Sequence, residues 1–202
     1  MGEDGHYYLE GYSADTDPYA QENGVLKNYF GITDLAKLNE IEADIAGLQI
    51  QKLLKQAPPS VLTPKYLCDL HHQVFMEIYP WAGKFRQVDI AKGDTHFLKH
   101  TAIEQALETL FSSLNKIQNH KNSSLENFSQ TIGKFLVGLN YVHPFREGNG
   151  RVQRLLASQI AKSSGFNLDW QSVGNEAMKQ ASIAGVAGDT RQMARLILLN
   201  TH

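Results

Sequence analysis

The residues best able to do chemistry lie in one run, His143-Pro144-Phe145-Arg146-Glu147-Gly148-Asn149-Gly150-Arg151, with Arg154 three positions further on. A histidine can accept a proton near neutral pH, a glutamate can hold a hard cation, and arginines bind phosphate oxygens in a forked geometry. Gly148 and Gly150 lack a Cβ and can take φ > 0, which lets successive backbone amides turn inward around an anion. Together these groups make a phosphate-transfer site. A plain helix–loop–helix corner would need the glycines, but not the histidine, the glutamate or the paired arginines.

Periodicity places that run between two elements. Phe128, Ile132, Phe135, Leu136, Leu139 and Val142 recur at three- and four-residue intervals, which predicts an amphipathic helix before it. Val152, Leu155, Leu156 and Ile160 resume the same period after it. The run is therefore expected as a loop that ends at a helix N-terminus, where unpaired amides and the dipole attract phosphate. Arg151 and Arg154 would reach the same side of that terminus. Two cations at a helix start oppose the dipole, and a bound polyanion would compensate. Pro144 is expected to hold His143 in an extended conformation and so to end the first helix. Phe145 reads as an anchor into the core, and His71, His72, His96, His100 and His120 read as structural.

The remaining elements read as helices. Thr33-Asp34 opens one in which Leu35, Leu38, Ile41, Ile45 and Leu48 share a face. Thr63-Pro64 has the cap-then-proline start of another, with Leu67, Leu70, Val74 and Ile78 inward, and Ala57-Pro58-Pro59-Ser60 is the loop between them. A further helix is predicted from near Ala102 to Ile117, before the polar turn His120-Lys121-Asn122-Ser123. Gly185 and Gly188-Asp189 are expected to break two C-terminal helical stretches, with Asp189 capping the last. Val88 and Ile90 alternate with polar residues, Lys92-Gly93-Asp94 supplies turn chemistry and Phe97 follows, which predicts one short hairpin. The expected class is all-α, a helical bundle with one β-hairpin. A chain of 202 residues without repeats or low-complexity tracts fits a single core, so one domain spans 1–202, with 1–16 a loose N-terminal segment.

Composition excludes several function classes. Nineteen Lys and Arg against 21 Asp and Glu, a net charge of −2, offer no footprint for nucleic acid. No run approaches a membrane span, and Met1-Gly2-Glu3-Asp4 is unlike a signal peptide, so a cytoplasmic protein is expected. The single Cys68 cannot form an internal disulfide and reads as buried. The sequons Asn122-Ser123-Ser124 and Asn127-Phe128-Ser129 carry no weight without a secretory signal.

The run at 143–154 resembles the signature of Fic-domain proteins, His-x-Phe-x-(Asp/Glu)-Gly-Asn-Gly-Arg-x-x-Arg, at every defined position. Tyr79-Pro80-Trp81-Ala82-Gly83-Lys84-Phe85-Arg86 is similar to the family's Trp-Ala-Gly segment, and Val88 to Phe97 to its flap hairpin. Asp17-Pro18-Tyr19, Gly24-Val25-Leu26-Lys27-Asn28 and Gly31-Ile32 are similar to the start of the bacterial toxin-like branch, so the resemblance runs from about residue 17 to the C-terminus.

The resemblance implies a Fic fold and nucleotidyl transfer, AMP from ATP onto a protein hydroxyl. His143 would be the general base, and Glu147 would ligate Mg²⁺. Gly148, Asn149 and Gly150 would cradle the α-phosphate. Arg151 would hold the β-phosphate and Arg154 the γ-phosphate. Arg146 stands at a variable family position and is expected to be solvated. Glycine at 150, where the kinase-like Doc branch has lysine, favours AMP transfer over γ-phosphate transfer. Transfer of another phosphate-containing group, or a silent nucleotide- or partner-binding module, are the alternatives. The flap would bind target main chain at its edge, with Ile90 and Phe97 clamping the modified residue. Many relatives carry an inhibitory (Ser/Thr)-x-x-x-Glu-(Gly/Asn) helix. Here the nearest match, Ser172 to Ala177, lacks the final residue, which implies a separate small antitoxin. By the same analogy the first expected targets are the type II topoisomerases, DNA gyrase and topoisomerase IV.

Overall fold

The computed structural model describes residues 8–9, 17–93, 95–116 and 124–202, and among them the chain is a helical bundle. Its helices are α1 (Leu35–Leu53), α2 (Pro64–Phe75), α3 (Ile103–Lys116), α4 (Leu125–Val142), α5 (Asn149–Ser163), α6 (Asn175–Val186) and α7 (Arg191–Leu199). Their starts follow local chemistry. The side chains of Asp34, Thr63 and Ser124 accept from the amides of Lys37, Tyr66 and Asn127, and Pro64 sits in the first turn of α2. Asp189 accepts from the Arg191 amide at 2.9 Å, as expected of a cap for α7. Ile117, the turn at 120–123, the sequon at Asn122, Asp94 and the first residues of the chain lie outside the described residues.

Helix α4 is the centre, packed against α3, α5, α6 and α7. Every apolar residue assigned to its inner face, from Phe128 to Val142, is buried, as are Val152, Leu155, Leu156 and Ile160 of α5. Gly185 does not break a helix. It sits inside α6, where a Cβ would meet Val137 of α4 at 2.7 Å. The residue is small because the helices touch there, a contact that chain punctuation cannot reveal.

Two further expectations change. The buried face of α1 runs through Leu38, Glu42, Ala46 and Leu53, while Leu48 is exposed. A carboxylate occupies the position that apolar periodicity alone would have passed over. The segment 1–16 is not loose throughout, because Tyr8–Leu9 form a strand, β1, antiparallel to β2 (Ile90–Lys92). Strand β2 pairs in turn with β3 (Thr95–His96), so the hairpin is the predicted one with a third strand on its β2 edge. No helix among the described residues is long and apolar enough to cross a membrane.

Candidate active site

Helix α4 ends at His143, whose amide donates to Leu139 O at 3.0 Å. The expected extended backbone is not found. His143 is left-handed (φ 46°, ψ 62°), the one non-glycine residue with positive φ among those described. The conformation costs roughly 1–2 kcal/mol for a residue with a Cβ. Arg86 offsets that cost. Its guanidinium, fully buried, donates to the carbonyls of His143 (2.8 Å), Val88 (2.7 Å), Val142 (3.2 Å) and Leu98. One side chain thus ties the end of α4 to both arms of the flap. Burial pulls its pKa down to about 10, and it keeps its charge at neutral pH.

The His143 ring lies under Phe97, stacked at 3.9 Å, and is 5% exposed. Its Nδ1 sits 3.1 Å from Asn140 O, an acceptor only, so Nδ1 carries the hydrogen and Nε2 is the basic nitrogen. Burial lowers the imidazole pKa to about 3, in place of the ordinary value expected from sequence. The imidazole is therefore neutral at working pH. Ile90 is buried at 1% exposure, so it is not an accessible clamp in this conformation. Phe97 is half-buried and lies beside His143.

The loop after His143 is shaped from within. Phe145 is buried and stacks on His71 at 3.9 Å, as its anchoring role predicted. The Asn149 side chain turns into its own loop. Its Oδ1 accepts from Phe145 N (2.9 Å) and its Nδ2 donates to Phe145 O (2.7 Å), so both ends close the loop. Arg146 is not solvated either: it is buried against Asp17 at 3.0 Å, which pins the segment beginning at Asp17 onto the motif. His71 is buried and its Nδ1 accepts from Gly83 N (2.9 Å), which leaves Nε2–H to donate to Glu147 O (3.0 Å). The Trp81-Ala82-Gly83 segment thereby reaches the motif through a histidine kept neutral by burial, with its pKa lowered to about 3.

Gly148 begins α5 at φ 80° and brings no side chain to cap it, so the first amides keep their capacity for an anion. Gly150 is already helical, and a Cβ there would meet only Arg154 Nη1 at 3.6 Å. Its contribution is open space beside the terminus. At Gly148 a Cβ would lie 2.4 Å from the Phe75 ring, in a backbone region L-residues avoid. Gly148→Ala should destabilise the protein by about 3 kcal/mol, read as a lower denaturation midpoint. An unchanged midpoint would contradict the loop geometry.

Arg151 pairs with Glu42 of α1, lies 3.7 Å from Glu147, and sits over the Phe75 ring at 4.8 Å. Arg154 is half-buried beside it, and burial followed by the Arg151 charge lowers its pKa. Glu147 Oε1 accepts from Gly148 N at 2.8 Å. No cluster of three metal-ligating side chains exists among the described residues, so Glu147 supplies one carboxylate only. That donor set suits a hard cation completed by phosphate oxygens and waters, not a caged metal.

A family model described as "Fic/DOC family" matches residues 61–161, a span that holds the motif, the flap and the Trp81 segment. The chain belongs to the Fic/DOC family. It is 34% identical over 190 residues to a protein adenylyltransferase, VbhT, of Bartonella schoenbuchensis, covering 94% of this chain and 40% of that protein. A relative from Salmonella typhimurium named "Probable protein adenylyltransferase Fic" is 32% identical, over 86% of each chain. The chain therefore spans less than half of one curated relative and most of the other. These relatives carry names that denote nucleotidyltransferase activity. Among solved structures, BepC of Bartonella tribocorum with bound AMPPNP superposes with a TM-score of 0.83 at 26% identity, covering 91% of this chain and 96% of that one. A Bartonella quintana Fic domain with bound ADP matches equally, at TM-score 0.83 and 26% identity, over 91% and 94% of the chains.

Sequence reasoning about this Fic chain missed Glu42, Arg86 and Asp17 as parts of the site. Asp17 and Arg86 were visible only as letters in resembling segments. Glu42 had one signal, a carboxylate four residues from both Leu38 and Ala46 on what became a buried face.

Proposed function

We propose that this chain transfers AMP from ATP to a hydroxyl side chain of a target protein. The observation that carries the reading is the juxtaposition across one loop: a neutral histidine base, His143, at the end of α4, and an uncapped α5 N-terminus flanked by Arg151 and Arg154. The AMPPNP and ADP bound to the superposing Fic domains support a nucleotide at the corresponding place. His143 Nε2 accepts the target hydroxyl's proton as that oxygen bonds to the α-phosphorus. The bond from the α-phosphorus to the bridging oxygen breaks, and pyrophosphate leaves with its charge spread over Arg151 and Arg154. The Gly150 amide faces the α-phosphate, that of Gly148 joins it once Glu147 turns from it to the cation, and Asn149 maintains the loop that presents them. Mg²⁺, held by Glu147, would neutralise phosphate charge. The flap admits the target segment when Phe97 moves off His143, with the target main chain pairing on the β3 side, since β1 lies on the β2 side.

The reading extends to biology by analogy with the family. The chain would act in the cytoplasm as the toxin of a toxin–antitoxin pair, held by a separate small inhibitor and directed at DNA gyrase or topoisomerase IV. Bacterial lysate incubated with Mg²⁺ and α- or γ-labelled ATP tests it. A protein band labelled from α-ATP alone supports AMP transfer, and label from γ-ATP would move the chain to the kinase-like branch. No band despite ATP binding would favour a silent module. Arg154→Ala should weaken ATP binding about tenfold or more while sparing AMP. Equal losses in calorimetric titrations of both would sink its γ-phosphate role.

A further inference from the structure

We propose that Glu42 is the positioning residue for Arg151, holding its guanidinium at the β-phosphate place before nucleotide arrives, and that Tyr79 fixes Glu42 in turn. The inference rests on the AMP-transfer reading above. Glu42 belongs to α1, outside the motif and outside the residues matched by the family model. One carboxylate oxygen, Oε1, accepts from Arg151 Nη2, and the other, Oε2, accepts from the Tyr79 hydroxyl. Tyr79 is itself buried and stacked on Trp81 at 4.5 Å. Burial and the adjacent carboxylate raise its pKa far above the ordinary phenol value, so it stays a donor.

The alternative is that Glu42 competes with phosphate for Arg151. Exposure argues against it. The Glu42 side chain is 8% exposed and its Oε2 is held by Tyr79 on the side away from Arg151, whereas Arg151 is 26% exposed. Glu42 therefore holds the arginine from the protein side, the Phe75 ring supports its face at 4.8 Å, and the remaining N–H groups are left for an incoming oxyanion. An unrestrained arginine loses rotamer freedom when it binds; a restrained one has lost it on folding. A buried carboxylate is costly to desolvate, and a pre-set arginine is the return on that cost. When Glu147 turns to a cation, Arg151 still keeps one carboxylate partner.

Calorimetric titration of the full chain with AMP and with ADP tests this. Glu42→Ala should weaken ADP about tenfold and leave AMP near its wild-type affinity, because only ADP carries a β-phosphate. Glu42→Gln, which still offers Arg151 an acceptor, should lose less. Adding Glu42→Ala to Arg151→Ala should cost ADP nothing further, since both act through one contact. Equal losses for AMP and ADP, or additive losses in the double variant, would overturn the inference. If Glu42→Ala fails to fold, Glu42→Gln and Tyr79→Phe carry the test, and an unchanged ratio of ADP to AMP affinity in both would overturn it. A wild-type chain that binds neither nucleotide would overturn the transfer reading first, before any substitution is made.

Discussion

His143→Ala abolishes AMP transfer and leaves ATP bound at close to wild-type affinity: that is the largest effect expected of any single change in this chain. The base contributes about 10²–10⁴-fold in comparable reactions, and its loss leaves the phosphate cradle of α5 untouched. The prediction is specific because the hydrogen bonds that orient His143 come from elsewhere than the two arginines. Its backbone is held by Arg86 and its Nδ1 by Asn140, and neither contact involves Arg151 or Arg154. Labelled-target formation beside calorimetric ATP binding measures both halves. Residual transfer above about a tenth of wild type would remove His143 from the base role, since a general base is worth at least about a hundredfold.

The second large effect is on stability. Arg86→Ala would leave the carbonyls of His143, Val88, Val142 and Leu98 without their shared donor in the interior. Asp89, 3.7 Å from the guanidinium, would lose its cation as well. Removing one partner from such a buried arrangement costs about 3–5 kcal/mol. For a chain of this size the melting temperature should fall by roughly 10 °C. Arg86→Lys should not restore it, because an ammonium cannot reproduce a planar fork that serves four carbonyls. The lysine variant should fold less stably and transfer slowly, with the flap no longer tied to the base. A thermal melt of either variant within 2–3 °C of wild type, the shift expected for about 1 kcal/mol, would contradict the hub assignment.

These two residues differ in how they could be found. His143 announces itself through Glu147, the glycines and the arginines that follow, all within reach of one loop. Arg86 stands among aromatic and glycine letters, and two of the carbonyls it serves, those of Val142 and His143, lie 56 and 57 residues away. The same split runs through the helices. The inner faces of α2, α4 and α5 were legible because apolar side chains there repeat with the helix period, and Thr63-Pro64 marks a start by local capping. The face of α1 was misread toward Leu48 because a buried carboxylate, Glu42, breaks the apolar pattern. The reading of Arg146 as solvated failed for a related reason: its partner Asp17 lies far away in sequence, and a charge buried by a distant partner leaves no local trace.

By itself, then, the sequence determined the helical class, the loop between α4 and α5, and which histidine, glutamate, glycines and arginines gather beside that loop, all properties of neighbouring residues. Tertiary structure alone decided how those groups are held. It turned His143 left-handed under Phe97, faced Asn149 inward, and bound Arg151 to Glu42. Such choices depend on which distant side chain can meet a buried polar group. They are made by packing, where an unmatched charge or hydrogen-bonding group costs more than the local preference it overrides.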